Sequence, residues 1–382
     1  MDAAPKMRRP KSAHFFLQTP KILRFIKPMK NPQADKFFTD LMSTKSPTGS
    51  ESEAAAVVDA FAEAFADERG RDVLGNRYAS VGGAADTIMF AGHIDEIGLI
   101  VSYIDDSGFI FFDTLGGHDN SMISGRRVAI ITKNGIVRGV TGKKAIHLMD
   151  ADDRKRVPET YKIWMDIGAS GRAEAMSLVS VGDSAVYDYP LEKLCGTRYA
   201  SKAFDDKAGC YCAFEALRRV KEAGGNPDFK VTAVATSQEE IGTRGAWTAS
   251  YTVNPKIGIA IDVEHATDFP TSDRHRHGDI RLGGGPVISR GPNITPVVFD
   301  RLVSCAKKLG IPYQVNAEAR PTGTDARVLQ MTRKGVATGL LGIPLRYMHT
   351  PAETLDFQDV EYCAALLAEF ALSAKSGDDF TF

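Results

Sequence analysis

Little in this 382-residue sequence points to a special environment. The five cysteines, Cys195, Cys210, Cys212, Cys305 and Cys363, are odd in number, scattered, and form no pair of CxxC clusters. Neither a disulfide framework nor a structural zinc site is indicated, and a reducing, cytoplasmic setting is expected. No stretch approaches the roughly 20 uninterrupted apolar residues that a membrane-spanning helix needs, so a soluble protein is expected. Lys and Arg number 47 against 48 Asp and Glu, a formal charge of −1. Nucleic acid and membrane surfaces require a concentrated basic face and are not expected as partners; a small molecule or a peptide fits better. Gly283-Gly284-Gly285 lacks the Lys-Ser/Thr pair of a phosphate loop and reads as a tight turn, and neither Ser201 nor Ser237 sits in a nucleophile motif. No internal repeat is evident.

What is present is an ordinary globular composition, 43% hydrophobic and 25% charged, long enough for one large α/β domain and a smaller one. Residues 1–30 carry eight Lys or Arg against the single acid Asp2. This basic arm, with Phe15, Phe16 and Phe25, reads as a loosely ordered tail, a targeting segment being the alternative. A helix capped near Ser50 leads into Ala54–Val58. The apolar runs Thr87–His93 and Gly98–Tyr103 read as buried strands of a central sheet. From about Asp105 to Leu194 the texture changes to short β-type runs, such as Val128–Ile131 and Ile136–Val140, the last two separated by the hairpin signal Asn134-Gly135. Residues 105–194 are therefore expected to form an inserted β-rich domain, with 31–104 and 195–382 forming a helix-flanked mixed α/β domain. In the latter the pattern predicts helices over Lys207–Ala223, Pro296–Leu309 and Asp359–Ala374, and strands over Lys230–Thr236, Ile257–Ile261 and Tyr313–Ala317.

Five short segments place acids or histidines beside apolar strands: Gly92-His93-Ile94-Asp95-Glu96, Phe204-Asp205-Asp206-Lys207, Gln238-Glu239-Glu240-Ile241-Gly242, Ile261-Asp262-Val263 and His349-Thr350-Pro351. Each alone has a bland reading: a hydrogen-bonded core histidine, a helix N-cap at Asp205, a solvated Glu-Glu turn. Together they carry more weight. Acids at strand ends are costly to bury unless a cation offsets them, and oxygen and imidazole donors suit divalent zinc, cobalt or manganese. A second group of histidines, His265, His275 and His277 near Asp268 and Asp273, reads as a surface loop rather than a further metal site.

These segments resemble the tetrahedral metallo-aminopeptidases of metallopeptidase family forty-two. The likeness runs from about Pro32 to Ala374 and extends to Gly135–Leu148, Asp166–Ala169, Gly284–Ile288, Gly323–Ala326 and Gly342–His349. The resemblance implies a zinc-peptidase-like catalytic domain in which His93, Asp205 and Asp262 hold one divalent ion and Asp205, Glu240 and His349 hold a second. It further implies that Asp95 orients His93 and that Glu239 is the general base. The inserted domain would mediate dimerisation, the dimers building a hollow homododecamer. The sequence departs from the family at His118, where tryptophan is common, and at Thr243, where leucine is usual.

On this reading the protein is an aminopeptidase acting on peptides with a free N-terminus, using two divalent ions, zinc or cobalt first and manganese next. A deacylase or carboxypeptidase on the same ligand set is the enzymatic alternative, and a non-catalytic assembly protein the alternative from another class. Cellulose hydrolysis would need two positioned carboxylates instead of two metals.

Overall fold

A computed structural model describes residues 31–381; the basic arm lies outside the described residues. The core forms around strand Thr87–His93, whose every residue is buried. It lies between Lys230–Thr236 and Ile257–His265, parallel to both, and Ile257–His265 in turn pairs in parallel with Ala337–Arg346. Strands enclosed on both sides and both faces must be apolar throughout, which is why these runs do not alternate. Antiparallel strands extend the sheet on each side, Glu68–Arg71 and Arg77–Val81 at one edge, and Glu353–Asp356, Arg198–Ser201 and Glu192–Lys193 at the other; Val287–Arg290 and Gln314–Ala317 branch from Ala337–Arg346. The result is an 11-stranded mixed sheet flanked by helices.

Helix Phe204–Glu222 is buried from Phe204 through Val220 and packs against the central strands and helix Phe357–Ser373. It begins three residues earlier than its expected start at Lys207, which draws Asp205 and Asp206 into its first turn with non-helical angles, across a cis Asp205–Asp206 peptide. Helix Pro296–Leu309 has the expected limits, set by a proline in its first turn and Gly310 beyond its end at φ 67°. Helix Ser52–Glu63 differs from expectation: Ser50 does not cap it, and the N-cap residue, Glu51, makes no side-chain cap bond. Helix Pro32–Ser43, capped by the Asn31 side chain, packs beside it with Phe37 and Phe61 stacked at 4.0 Å.

The second unit is a closed six-stranded barrel, in the order Gly98–Ile104, Ile110–Leu115, Ile163–Asp166, Gly135–Lys143, Arg127–Thr132 and Ser184–Tyr187. Leu99, Val101, Phe112, Val128, Ile130, Ile163 and Met165 fill it as a core separate from that of the sheet. The expectation that Gly98–Tyr103 belongs to the central sheet is corrected here. An apolar run of strand length shows that a segment is buried, not in which sheet it lies, and this one pairs with Ile110–Leu115 and Ser184–Tyr187. The Asn134-Gly135 signal does mark a hairpin, with Thr132 opposite Gly135 and the glycine at φ 115°.

Candidate metal centre

All four parallel strands lead toward one crevice, the place where open α/β sheets hold their ligands. His93 ends its strand, and Glu239 and Glu240 follow the strand ending at Thr236. Asp262 lies in Ile257–His265, and His349 follows Ala337–Arg346. Asp205 reaches the same crevice from the first turn of its helix. Donor atoms of His93, Asp205 and Asp262 lie within 4.8 Å of one another, as do those of Asp205, Glu240 and His349. Asp205 stands between the two sets, Oδ1 at 3.2 Å from His93 Nε2 and Oδ2 at 3.1 Å from His349 Nε2. Glu240 Oε1 is 3.6 Å from His349 Nε2, and Glu239 Oε2 is 4.0 Å from His93 Nε2.

The supporting bonds fix these groups. Asp95, fully buried, accepts from the amides of Glu239 at 3.0 Å and Glu240 at 3.2 Å and from the Thr48 hydroxyl at 2.8 Å. Its carboxylate is also 3.4 Å from His93 Nδ1, whose nearer neighbour is the Asp95 carbonyl at 3.1 Å. Asp95 thus clasps the turn that carries the two glutamates as well as flanking the histidine. Sequence reasoning missed Glu353, which accepts from the amides of Asp205 and His349, and gave Asp206 no role; it accepts from the amides of His93 and Gly209. Both carboxylates act on backbone amides, for which no spacing rule exists. Gln238 and His349 have φ of 54° and 60°, a left-handed conformation that costs free energy and collects at functional sites.

Electrostatics show what the cluster needs. Burial, with Asp205 nearby, holds the carboxyls of Glu240 and Asp262 well above the usual range. Burial likewise raises Glu239 to about 9, with Asp262, Asp325 and Asp95 adding to the rise and His93 opposing it. Burial alone would lower His93, but Asp205 and Asp95 hold it well above its ordinary value. A buried group of like charges is relieved by a cation, and a donor set of carboxylate and imidazole fits zinc, cobalt or manganese.

The barrel touches this site without supplying a side-chain donor. A Cβ at Gly116, φ 81°, would meet Glu240 Oε2 at 3.1 Å, and one at Gly117 would meet His349 Nδ1 at 3.3 Å, so the two glycines let the barrel close over the ligands. His118 packs on Tyr187, 3.2 Å from its hydroxyl. Thr243 lines the crevice and precedes helix Arg244–Val253 at φ 54°, without a side-chain cap bond. The second histidine group forms no donor set among the described residues: His265 lines the crevice, while Asp268 is held by Arg346 and Asp273 caps the short exposed helix Arg274–His277. Gly283 and Gly285 form a turn whose amides donate to Asp359.

The family model for M42 glutamyl aminopeptidase matches residues 75–366. A lysyl aminopeptidase of Pyrococcus furiosus is 38% identical over 320 residues, 83% of this chain and 90% of its own length. Among solved structures, a TET aminopeptidase from a marine sediment thaumarchaeote superimposes with a TM-score of 0.86 at 32% identity, covering 90% of this chain and 97% of its own. The TET1 peptidase of Pyrococcus horikoshii, described as assembling into a tetrahedron or a large octahedral shell, does so with a TM-score of 0.80 at 29% identity, covering 89% and 100%.

Proposed function

The chain belongs to the M42 glutamyl aminopeptidase family, a metal-dependent peptidase family with a zinc-peptidase-like fold, and from that premise we propose that it removes N-terminal residues from peptides with two divalent cations and Glu239 as proton-transfer base. The observation that carries the reading is the pair of three-residue donor sets sharing Asp205. His93, Asp205 and Asp262 would hold one cation and Asp205, Glu240 and His349 the other, with zinc or cobalt favoured over manganese.

When bound, the cations supply Lewis acidity, making water a stronger acid and polarising the scissile carbonyl. The chain's own residues do the rest. Glu239, beside a ligand yet outside both donor sets, takes the proton of the attacking water and returns it to the leaving amine. Asp95 keeps Glu239 in place through its amide and orients the His93 ring. A substrate's free α-amine would be received among the crevice carboxylates, which favours cleavage from the N-terminus over the deacylase and carboxypeptidase alternatives.

The barrel, residues 98–187 with the segments around them, is proposed as the assembly domain. Val140, Ile146, Leu148, Val157 and Tyr161 are between 50% and 71% exposed on it. An interface between copies would cover them, giving dimers that close into a dodecameric shell with the sites inside. Elemental analysis together with a free-amine test decides the function: two ions per active chain and poor cleavage of acetylated peptides are expected. Equal cleavage of acetylated and free peptides would end the aminopeptidase reading.

A further inference from the structure

The cavity of about 440 Å³ that contains the ligands continues past them, along a wall formed by Glu264, Glu318, Thr322, Leu340 and Met348. Glu264 lies two residues beyond Asp262 on the same strand, so its side chain leaves the same face of the sheet as that ligand. Its Cβ packs directly on Gly342 of the neighbouring strand, where a Cβ on residue 342 would come within 2.6 Å of it. Glu318 follows strand Gln314–Ala317. One amide nitrogen joins the two: Asn316 Nδ2 donates to Glu264 Oε2 at 3.2 Å and to Glu318 Oε1 at 2.8 Å. Neither carboxylate makes an ion pair of 4.0 Å or less among the described residues, and both are partly buried.

From these positions we infer that Glu264 and Glu318 select substrates whose N-terminal residue is basic, lysine or arginine, by receiving its side-chain cation. The inference rests on the aminopeptidase reading above. Charge balance is the reason. The carboxylates of Asp205, Glu240 and Asp262 would be matched by the two dications; Glu264 and Glu318 have only a neutral amide between them. Their shared bond to the Asn316 nitrogen holds the two carboxylates close together, so a single ammonium or guanidinium group beside that amide can reach both. Leu340 and Met348 offer apolar surface to the aliphatic stem. Partly buried acids lacking a counter-ion gain from a cation brought by the ligand. Arg327 also lines the cavity, exposed and in no ion pair among the described residues; it would be the selecting group if acidic residues were preferred.

The test uses the full-length chain carrying Glu239→Gln, loaded with zinc so that the ligands are bound but not turned over, and titrated by calorimetry with L-lysinamide and L-norleucinamide, which differ by the terminal ammonium group. Lysinamide is expected to bind about tenfold more tightly or better, and the ratio is expected to fall to near one in the double variant Glu264→Gln/Glu318→Gln. A parallel series of aminoacyl-coumarin substrates, given to the chain with Glu239 intact, is expected to show the same ranking in kcat/KM, with lysyl and arginyl above norleucyl and glutamyl. Equal binding of the two amides, a ratio unchanged in the double variant, or a preference for glutamyl substrates that Arg327→Ala removes would overturn the assignment. Selective lysinamide binding by a chain that cleaves none of the substrates would uphold it and refute the aminopeptidase reading instead.

Discussion

The sheet and the barrel solve opposite problems with similar strands. In the sheet, parallel strands bury their apolar runs, and charge gathers in the crevice they lead to: His93, Asp205, Glu239, Glu240 and Asp262 line it with Asp95 behind them. The barrel buries no charged side chain and packs an apolar core, yet exposes Ile146, Leu148, Val157 and Tyr161. One unit accepts electrostatic cost in its interior; the other leaves apolar surface uncovered. The costs point to different remedies, a cation in the first case and a second protein surface in the other. Interventions in the sheet should therefore show as lost metal, turnover or stability, and interventions in the barrel as changed assembly.

The largest effect is expected at Asp205, the group common to both donor sets. Asp205→Asn should lower metal content at both positions and reduce kcat/KM by about four orders of magnitude or more, as read by plasma emission analysis of the purified variant and by peptide hydrolysis. Glu240→Gln should weaken one position only; if both variants retain two ions per chain, the shared-carboxylate arrangement is wrong. Next is Glu239→Gln, which should keep both ions and lose about three orders of magnitude in turnover, since an amide cannot accept the water's proton. Near-normal activity with full metal occupancy would assign the base elsewhere.

A smaller effect, on stability, is expected behind the site. Glu96 is buried and bonds Lys202 and Lys207 at 2.6 and 2.7 Å, and both lysines also donate to the Thr44 carbonyl. Although burial alone would raise it, the two lysines hold the Glu96 carboxyl down at about 2. A carboxyl depressed on folding stabilises the protein above its unfolded pKa of about 4.5, and that stabilisation is lost as pH falls toward 2. Glu96→Gln leaves two buried lysines without their partner carboxylate and should cost about 3–5 kcal/mol at neutral pH. The gap to the wild type should narrow below about pH 4.5 in denaturant titrations; a gap independent of pH would show that packing, not charge, is being lost.

The same contrast explains what could be read in the sequence. Strands Thr87–His93 and Lys230–Thr236 and helix Pro296–Leu309 have the limits their patterns predict, because apolar runs and terminal Pro and Gly encode them locally. Gly98–Ile104 was legible as a buried strand and illegible as a barrel strand, since pairing is decided by partners far along the chain. At the site, the seven proposed residues stood out through residue type and position at strand ends, and the structure gathers them in one place. Glu353 and Asp206 did not stand out as support, because holding backbone amides leaves no pattern in side-chain spacing. Glu264 and Glu318 become a pair only through Asn316, which is a sequence neighbour of Glu318 but lies 52 residues from Glu264.

The smallest effect on chemistry, and the one that separates the two units most cleanly, is expected on the barrel surface. Leu148 and Tyr161 are 71% and 65% exposed, lie on short helical turns between strands Gly135–Lys143 and Ile163–Asp166, and do not line the crevice. A charge placed at an apolar interface must be desolvated without a partner, whereas on a free surface it is hydrated at little cost. Leu148→Asp/Tyr161→Asp should therefore shift the particle seen by light scattering from about twelve chains toward dimers or single chains. Metal content should stay at two per chain, and hydrolysis of a single-residue fluorogenic substrate should change by no more than about threefold. Long or folded substrates should be cut faster by the dissociated form, since their exclusion depends on the shell and not on the crevice. If the double variant keeps the wild-type particle size, this patch is not the interface, and the exposed apolar side chains of the barrel must serve something other than the assembly of copies of this chain.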